Sequence, residues 1–287
     1  MTSLLPTGTG AGRRTAGTGL WLVTGLTLIL LLTRNLLPGV LFPALLLAQT
    51  AFTFLHGARR YGPRAILVFY AVTLVVSNAL ENLSISTGFP FGHYHYTQGP
   101  QLLQVPLMIG PAYAVTGYLA WTVATLLVGE VRPGADRLTT VGTPVVASFA
   151  MVAWDLSMDP TLATVRKMWI WENGGGFFGV PLVNFLGWSL TTYAFLQLFA
   201  LYLRRRGPRA EPGPASPAQP LVLYAGTAAT FLLTYVTGER TTVTDAAGHT
   251  WRSADIYETS ALTTIYGMLF IALLAALALA RRRARRE

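Results

Sequence analysis

Apolar positions fall in long blocks along this chain, not at the spacing of a half-buried helix or strand. The apolar runs lie near 18–34, 40–57, 65–81, 104–129, 139–159, 180–203, 220–238 and 259–280, and the segments between them are short, polar or basic. A helix needs about 20 mostly apolar residues to cross hydrocarbon, whereas a membrane-barrel strand needs only about 10. Backbone groups in lipid must be satisfied within the spanning structure, which leaves helices for runs of this length. The pattern predicts an all-α, polytopic transmembrane bundle of about eight helices. Only Leu36, Leu37, Pro38 and Gly39 separate the first two runs, so one re-entrant hairpin, and seven spans, is an alternative.

The segments outside the runs complete the predicted organisation. Residues 1–17 are Gly- and Thr-rich and are expected to be a disordered tail. Arg13 and Arg14 before an apolar run are similar to an export signal, but no small-residue cleavage site follows, so a retained first helix is expected. Residues 18–203 hold the first six helices. Residues 204–219, with four prolines, form a linker to a final pair in 220–280, and 281–287 is a basic tail.

Composition agrees with a membrane location. Charged residues make up 11% of the 287, hydrophobic ones 52%, against about 25% charged in soluble domains. The net charge of +9 would fit nucleic acid if it formed one patch. Instead it is divided among short runs between helices: Arg59, Arg60 and Arg64; Arg204 to Arg206 with Arg209; Arg281 to Arg286. That placement fits loops facing anionic lipid, not a nucleic-acid partner. With eight spans, both termini fall on one side, and the other side holds only Arg34, Arg166, Lys167, Arg240 and Arg252 of 21 basic residues. The basic side is expected to be cytoplasmic, in the cell membrane. The chain has no cysteine, which excludes disulfides, thiolate catalysis and Cys-ligated metal.

The candidate chemistry lies at the opposite end of the helices, so the active site is expected towards the non-cytoplasmic side. Ionisable residues at membrane depth are expensive and usually functional. Asp155 and Asp159 are four apart and so share one helix face. Pro160 predicts that the helix ends at Asp159. Asp155 would then sit about one turn, roughly 5–6 Å, inside the end. Apolar burial, a second carboxylate and the helix dipole all favour a neutral acid there. Glu81 is expected at another helix C-terminus. Glu239, beside Arg240, reads more readily as half of an ion pair. His93 and His95 flank Tyr94 and would point the same way if extended; hydrogen bonding near a site suits them better than metal. Asn184 and Trp188 share a helix face, where Asn184 can orient a carboxylate or a water. An aromatic set that includes Tyr96, Trp154, Trp169 and Trp171 surrounds these groups. A weaker feature is an internal echo: Gly88-Phe89-Pro90-Phe91-Gly92 before Val105-Pro106-Leu107, and Gly176-Phe177-Phe178-Gly179 before Val180-Pro181-Leu182.

Some classes are excluded. There are no paired Asp-rich motifs for a prenyl diphosphate, no P-loop and no Gly-x-Gly-x-x-Gly fingerprint. The single lysine, Lys167, lies between apolar runs, which excludes a retinal Schiff base within a helix.

In combination, Glu81, Gly88-Phe89-Pro90-Phe91-Gly92-His93-Tyr94, Val105-Pro106, Asp155 to Pro160, Trp169-Ile170-Trp171, Gly176 to Pro181 and Asn184 to Trp188 resemble the membrane carotenoid 1′,2′-hydratases, the γ-carotene 1′-hydroxylase and bisanhydrobacterioruberin hydratase group. The resemblance covers roughly residues 65–200. It implies cofactor-free addition of water to the terminal C1′=C2′ double bond of an acyclic, lycopene- or γ-carotene-like carotenoid, in contact with membrane lipid. For such chemistry Asp155 is the expected proton donor, supported by Asp159 and Glu81. Trp154, Trp171 and Trp188 would face the cation, and His93, Tyr94, His95, Asn184 and Glu239 would position substrate or water. A reading of another class is a non-enzymatic carotenoid or lipid binder, or a small transporter. A transporter would spread polar residues through the membrane depth, and a binder would not need paired carboxylates.

Overall fold

The computed structural model describes residues 10–34, 38–208 and 215–285. Helix α1 is Gly10–Thr33, α2 Pro38–Tyr61, α3 Pro63–Thr87, α4 Ile109–Leu127, α5 Arg137–Asp159, α6 Leu182–Arg206 and α7 Ala218–Thr237. Helices α8, Ser253–Thr263, and α9, Phe270–Ala284, are joined by a π-helical turn into one rod. The described residues thus form an all-α bundle of eight helical rods, six of them long and apolar enough to cross a membrane. Helices α1 and α2 run 24 residues each, and of α1 the stretch Gly17–Thr33 is apolar. Of the expected disordered tail, residues 1–9 lie outside the described residues, and α1 begins at Gly10. Residues 209–214 of the Pro-rich linker also lie outside them, while Arg204 to Arg206 continue α6 and Ala218 begins α7.

Local signals set several helix ends. Pro63 opens α3, where its missing N–H costs nothing. Gly88 closes it in the left-handed region, φ 82°, donating its N–H to Ser84 O. Asp136 caps α5, accepting from Thr139 N at 2.6 Å.

Helices α3 to α6 surround the interior: α3 packs on α4 and α6, and α5 packs on the same two. Fourteen of the nineteen residues of α4 are buried, so it needs no continuous lipid-facing stripe. Trp121, Tyr113, Tyr118, Phe69, Phe195 and Phe199 are among the largest fully buried side chains of the core.

Short strands lie at the end of the bundle where α3 stops. Strand β1, Tyr94–Tyr96, follows α3; β2, Gln101–Leu102, and β3, Val105–Pro106, form a small hairpin before α4. Strand β4, Trp169–Trp171, follows α5 and pairs antiparallel with β1. Strands β5, Thr242–Thr244, and β6, Thr250–Arg252, form a hairpin between α7 and α8.

The helix does not end at Asp159. That residue keeps right-handed helical angles, φ −59° and ψ −49°, and the chain continues through a π-helical turn, Pro160–Val165. A π turn closes hydrogen bonds five residues apart, as Arg166 N to Thr161 O does here, and absorbs the proline that would otherwise break the ladder. Asp155 therefore lies ten residues before Val165, or roughly 15 Å by helical rise. The expectation of one turn is corrected, and the helix-dipole argument for these carboxylates falls with it.

Candidate functional site

Two carboxylate centres meet inside the bundle. The first is Glu81, fully buried on α3. Tyr113 of α4 donates its hydroxyl to Glu81 Oε1 at 2.6 Å. Tyr94 and Tyr96 of β1 both donate to Oε2, Tyr96 at 2.9 Å. Burial, and then the Glu81 charge beside them, hold the Tyr94 and Tyr96 phenols well above their ordinary range, so both remain donors.

The second centre is the α5 pair. Asn184 of α6 places one amide nitrogen 3.1 Å from Asp155 Oδ2 and 2.6 Å from Asp159 Oδ2, donating to both. Asp159 Oδ1 also accepts from Trp169 Nε1 at 3.0 Å and Trp171 Nε1 at 3.4 Å. Asp159 thus receives three N–H donors, none of which can accept in return. Asp155 receives one. Its Oδ1 is buried and has no hydrogen-bond partner.

The β1–β4 ladder joins the two centres. Its register sets Tyr94 opposite Trp171 and Tyr96 opposite Trp169. Alternation along a strand sends these four side chains to one face. The rings meet at 4.8 Å between Tyr94 and Trp171, and at 6.1 Å between Tyr96 and Trp169. Each tyrosine reaches Glu81 and each tryptophan reaches Asp159. On the other side Trp188 stacks on Tyr113 at 4.3 Å and 9°, and Trp154 meets Trp188 edge-on at 5.8 Å. A close approach holds the loop after α3 against α6: a Cβ on Gly187 would lie 2.6 Å from Phe91 Cδ1 and 2.7 Å from Pro90 O.

Of the residues expected from sequence, Glu81, Tyr94, Trp154, Asp155, Asp159, Trp171, Asn184 and Trp188 are brought together. His93 and His95 are not. Strand alternation does aim them the same way, but outward: both are exposed, and His95 contacts the exposed Glu172 at 3.3 Å. Glu239 is exposed beyond α7, outside the cluster; its carbonyl accepts from Ser253 Oγ. The sequence pattern does not single out Tyr113, and it offers Tyr96 and Trp169 only within an aromatic set, because each reaches its carboxylate from a different element. A signal for Tyr113 existed in the echo: it stands seven residues after Pro106, as Trp188 stands seven after Pro181. Among the described residues no group of three or more His, Asp or Glu is gathered to hold a metal ion.

The described residues thus make a membrane-type helical bundle with a carboxylate-rich, aromatic-walled centre. The chain belongs to a family of carotenoid biosynthesis proteins: the family described as Carotenoid biosynthesis protein matches residues 41–248, which hold every residue of the cluster. Over 149 residues it is 32% identical to the bisanhydrobacterioruberin hydratase of Haloarcula japonica, covering 51% of this chain and 48% of that protein. The chain thus spans about half the length of the curated relative it matches. No solved structure matches it.

Proposed function

We propose that the protein is a carotenoid 1′,2′-hydratase that adds water to the terminal C1′=C2′ bond of an acyclic carotenoid end group, leaving a tertiary alcohol. The observation that carries this reading is the inequality of Asp155 and Asp159. Asp155 has one donor and a bare Oδ1, so an ionised form would leave a buried charge unsolvated. It is the neutral acid. Asp159, with three donors, is the carboxylate.

A simple alkene does not take up water until it is protonated. Asp155 gives its proton to C2′, and the π electrons leave a tertiary cation at C1′. The faces of Trp188, Trp154 and Trp171 stabilise that cation without attacking it. A water oxygen forms the C–O bond at C1′, and its surplus proton passes to Asp159. Asn184 fixes the spacing of acid and base, and the proton returns to Asp155 between turnovers. The net change is one water added, with no redox step. The Glu81 centre holds Tyr113 and, through it, the Trp188 face.

The test is expression in a lycopene-producing host, followed by mass analysis of the pigments. The expected product is heavier by one water, with its new oxygen drawn from ¹⁸O-labelled water. Oxygen drawn from O₂, or pigment left unchanged, would overturn the reading.

A further inference from the structure

Beneath the carboxylates, towards the N-terminus of α3, lies a layer of buried hydroxyls. Thr73, Ser77 and Glu81 recur at a spacing of four on the buried face of α3. Thr191 lies seven residues beyond Asn184 on α6, on the same face two turns away. The packing sets the register of these antiparallel helices. The Phe69 ring of α3 meets Phe195 and Phe199 of α6 at 6.4 and 5.0 Å. Glu81 and Asn184 meet the shared cluster at the other end. Thr73 and Thr191 fall between those two levels. Met151 of α5 borders the layer, 3.5 Å from Thr192 Oγ1. Below it Phe69, Tyr118, Trp121, Phe195 and Phe199 are all fully buried and seal it from the basic end of the bundle.

These hydroxyls differ from most threonines of the α-helices, although Thr161 and Thr264 in the two π-helical turns are also buried without a partner. Thr24, Thr27, Thr116, Thr122, Thr227 and Thr234 each donate to the carbonyl four residues back. Thr73 Oγ1 and Thr191 Oγ1 are buried with no partner, as is Asp155 Oδ1. Ser77 Oγ has only a long contact, 3.5 Å to Leu74 O. Leaving such groups unpaired is costly, and buried water is the ordinary remedy in a polar interior site.

We propose that a cluster of buried water molecules sits between α3 and α6, bonded to Thr73, Ser77 and Thr191 and reaching Asp155 Oδ1, and that it supplies the water consumed at the site. The proposal rests on the hydration reading for its role in turnover. A tertiary cation in a dry pocket loses a proton back to the alkene unless a nucleophile is already in place. Water held one to two turns below Asp155 meets that need without crossing lipid. The aromatic seal directs its exchange through the carboxylate side.

The test uses Thr73→Val and Thr191→Val, singly and together, with Thr73→Ser and Thr191→Ser as hydroxyl-retaining controls. Because water and not carotenoid is the group affected, the double valine variant should lose roughly tenfold in kcat with KM for carotenoid unchanged. Its Tm in detergent should fall, since the methyl groups cannot hold the water. The serine variants should recover both. Valine variants with undiminished turnover and a raised Tm would mean that the hydroxyls are dry, and would overturn the proposal. If the wild-type protein hydrates no carotenoid, the hydratase reading fails, and the Tm comparison of valine with serine variants still decides whether the layer holds water.

Discussion

At the scale of single residues, the three buried carboxyl groups differ in what surrounds them, and their substitution should separate them. Asp155→Asn keeps shape and one hydrogen bond but has no proton to give. Hydration should be abolished, with the protein still folded and membrane-inserted. Asp159→Asn and Glu81→Gln should lower turnover by about 10²–10⁴-fold, the range for a general acid–base or closely coupled group. Pigment conversion by each variant, normalised to its level in the membrane, measures this. Near-normal turnover by Asp155→Asn beside a dead Glu81→Gln would transfer the acid role to Glu81. The aspartates and Asn184 were legible in the sequence because spacings of four on one helix need no knowledge of the rest of the fold. The Tyr113 hydroxyl was not, since it reaches Glu81 from a helix whose packing the sequence does not state. His93 and His95 carry suitable chemistry, but strand alternation places the tyrosines between and beyond them inside.

At the scale of elements, the site depends on short strands that the apolar blocks do not announce. The β5–β6 hairpin clamps the loop leading into α6: Lys167 Nζ donates to Thr244 O at 2.5 Å, and Phe178 meets Trp251 at 5.3 Å. Within the hairpin, partial desolvation works against the Asp245 charge. Hydrogen bonds from Trp251 Nε1 and His249 N, with the His249 ring 3.3 Å away, outweigh it and hold the carboxyl below its ordinary range. A depressed folded-state pKa adds stability that is fully present above the unfolded value of about 3.9 and is lost as pH falls through the folded value. The hairpin should therefore be intact at neutral pH and loosen only below about pH 4. Hydrogen exchange across 242–252 should rise there, and Asp245→Asn should raise exchange already at neutral pH. Unchanged exchange in Asp245→Asn would show that the carboxylate does not hold the hairpin. The π turn at Pro160 was equally hidden. A proline normally forecasts a helix end, and only the packing of this turn against α8 and β4 shows that the rod continues.

At the scale of the molecule, the cluster has two halves built alike. Each has a helix, a strand and a helix in that order, α3, β1, α4 and α5, β4, α6, with the β2–β3 hairpin added in the first and the π-helical turn in the second. In each, a carboxylate on the first helix is held by alternate aromatic donors of the following strand, Tyr94 and Tyr96 for Glu81, Trp169 and Trp171 for Asp159. The antiparallel β1–β4 pairing and the face-to-face Tyr113–Trp188 stack lie where the halves meet. Setting Glu81 against Asp159 also sets Ser77 against Asp155, four residues earlier in each, so the proposed acid is the group that breaks the likeness. Such an arrangement requires α3 and α5 to cross in the same direction, and with them both strands on one side. The uneven placement of the 21 basic residues predicts that this side is non-cytoplasmic. The absence of cysteine makes the test direct, because a single introduced thiol has no background. Cysteines placed one at a time in 93–100 and in 207–219 should react with a membrane-impermeant maleimide from opposite sides. The first set should label in intact cells, and the second only in inverted vesicles. Labelling of both sets from one side would break the orientation and, with it, the placement of the site at the non-cytoplasmic ends of α3 and α5.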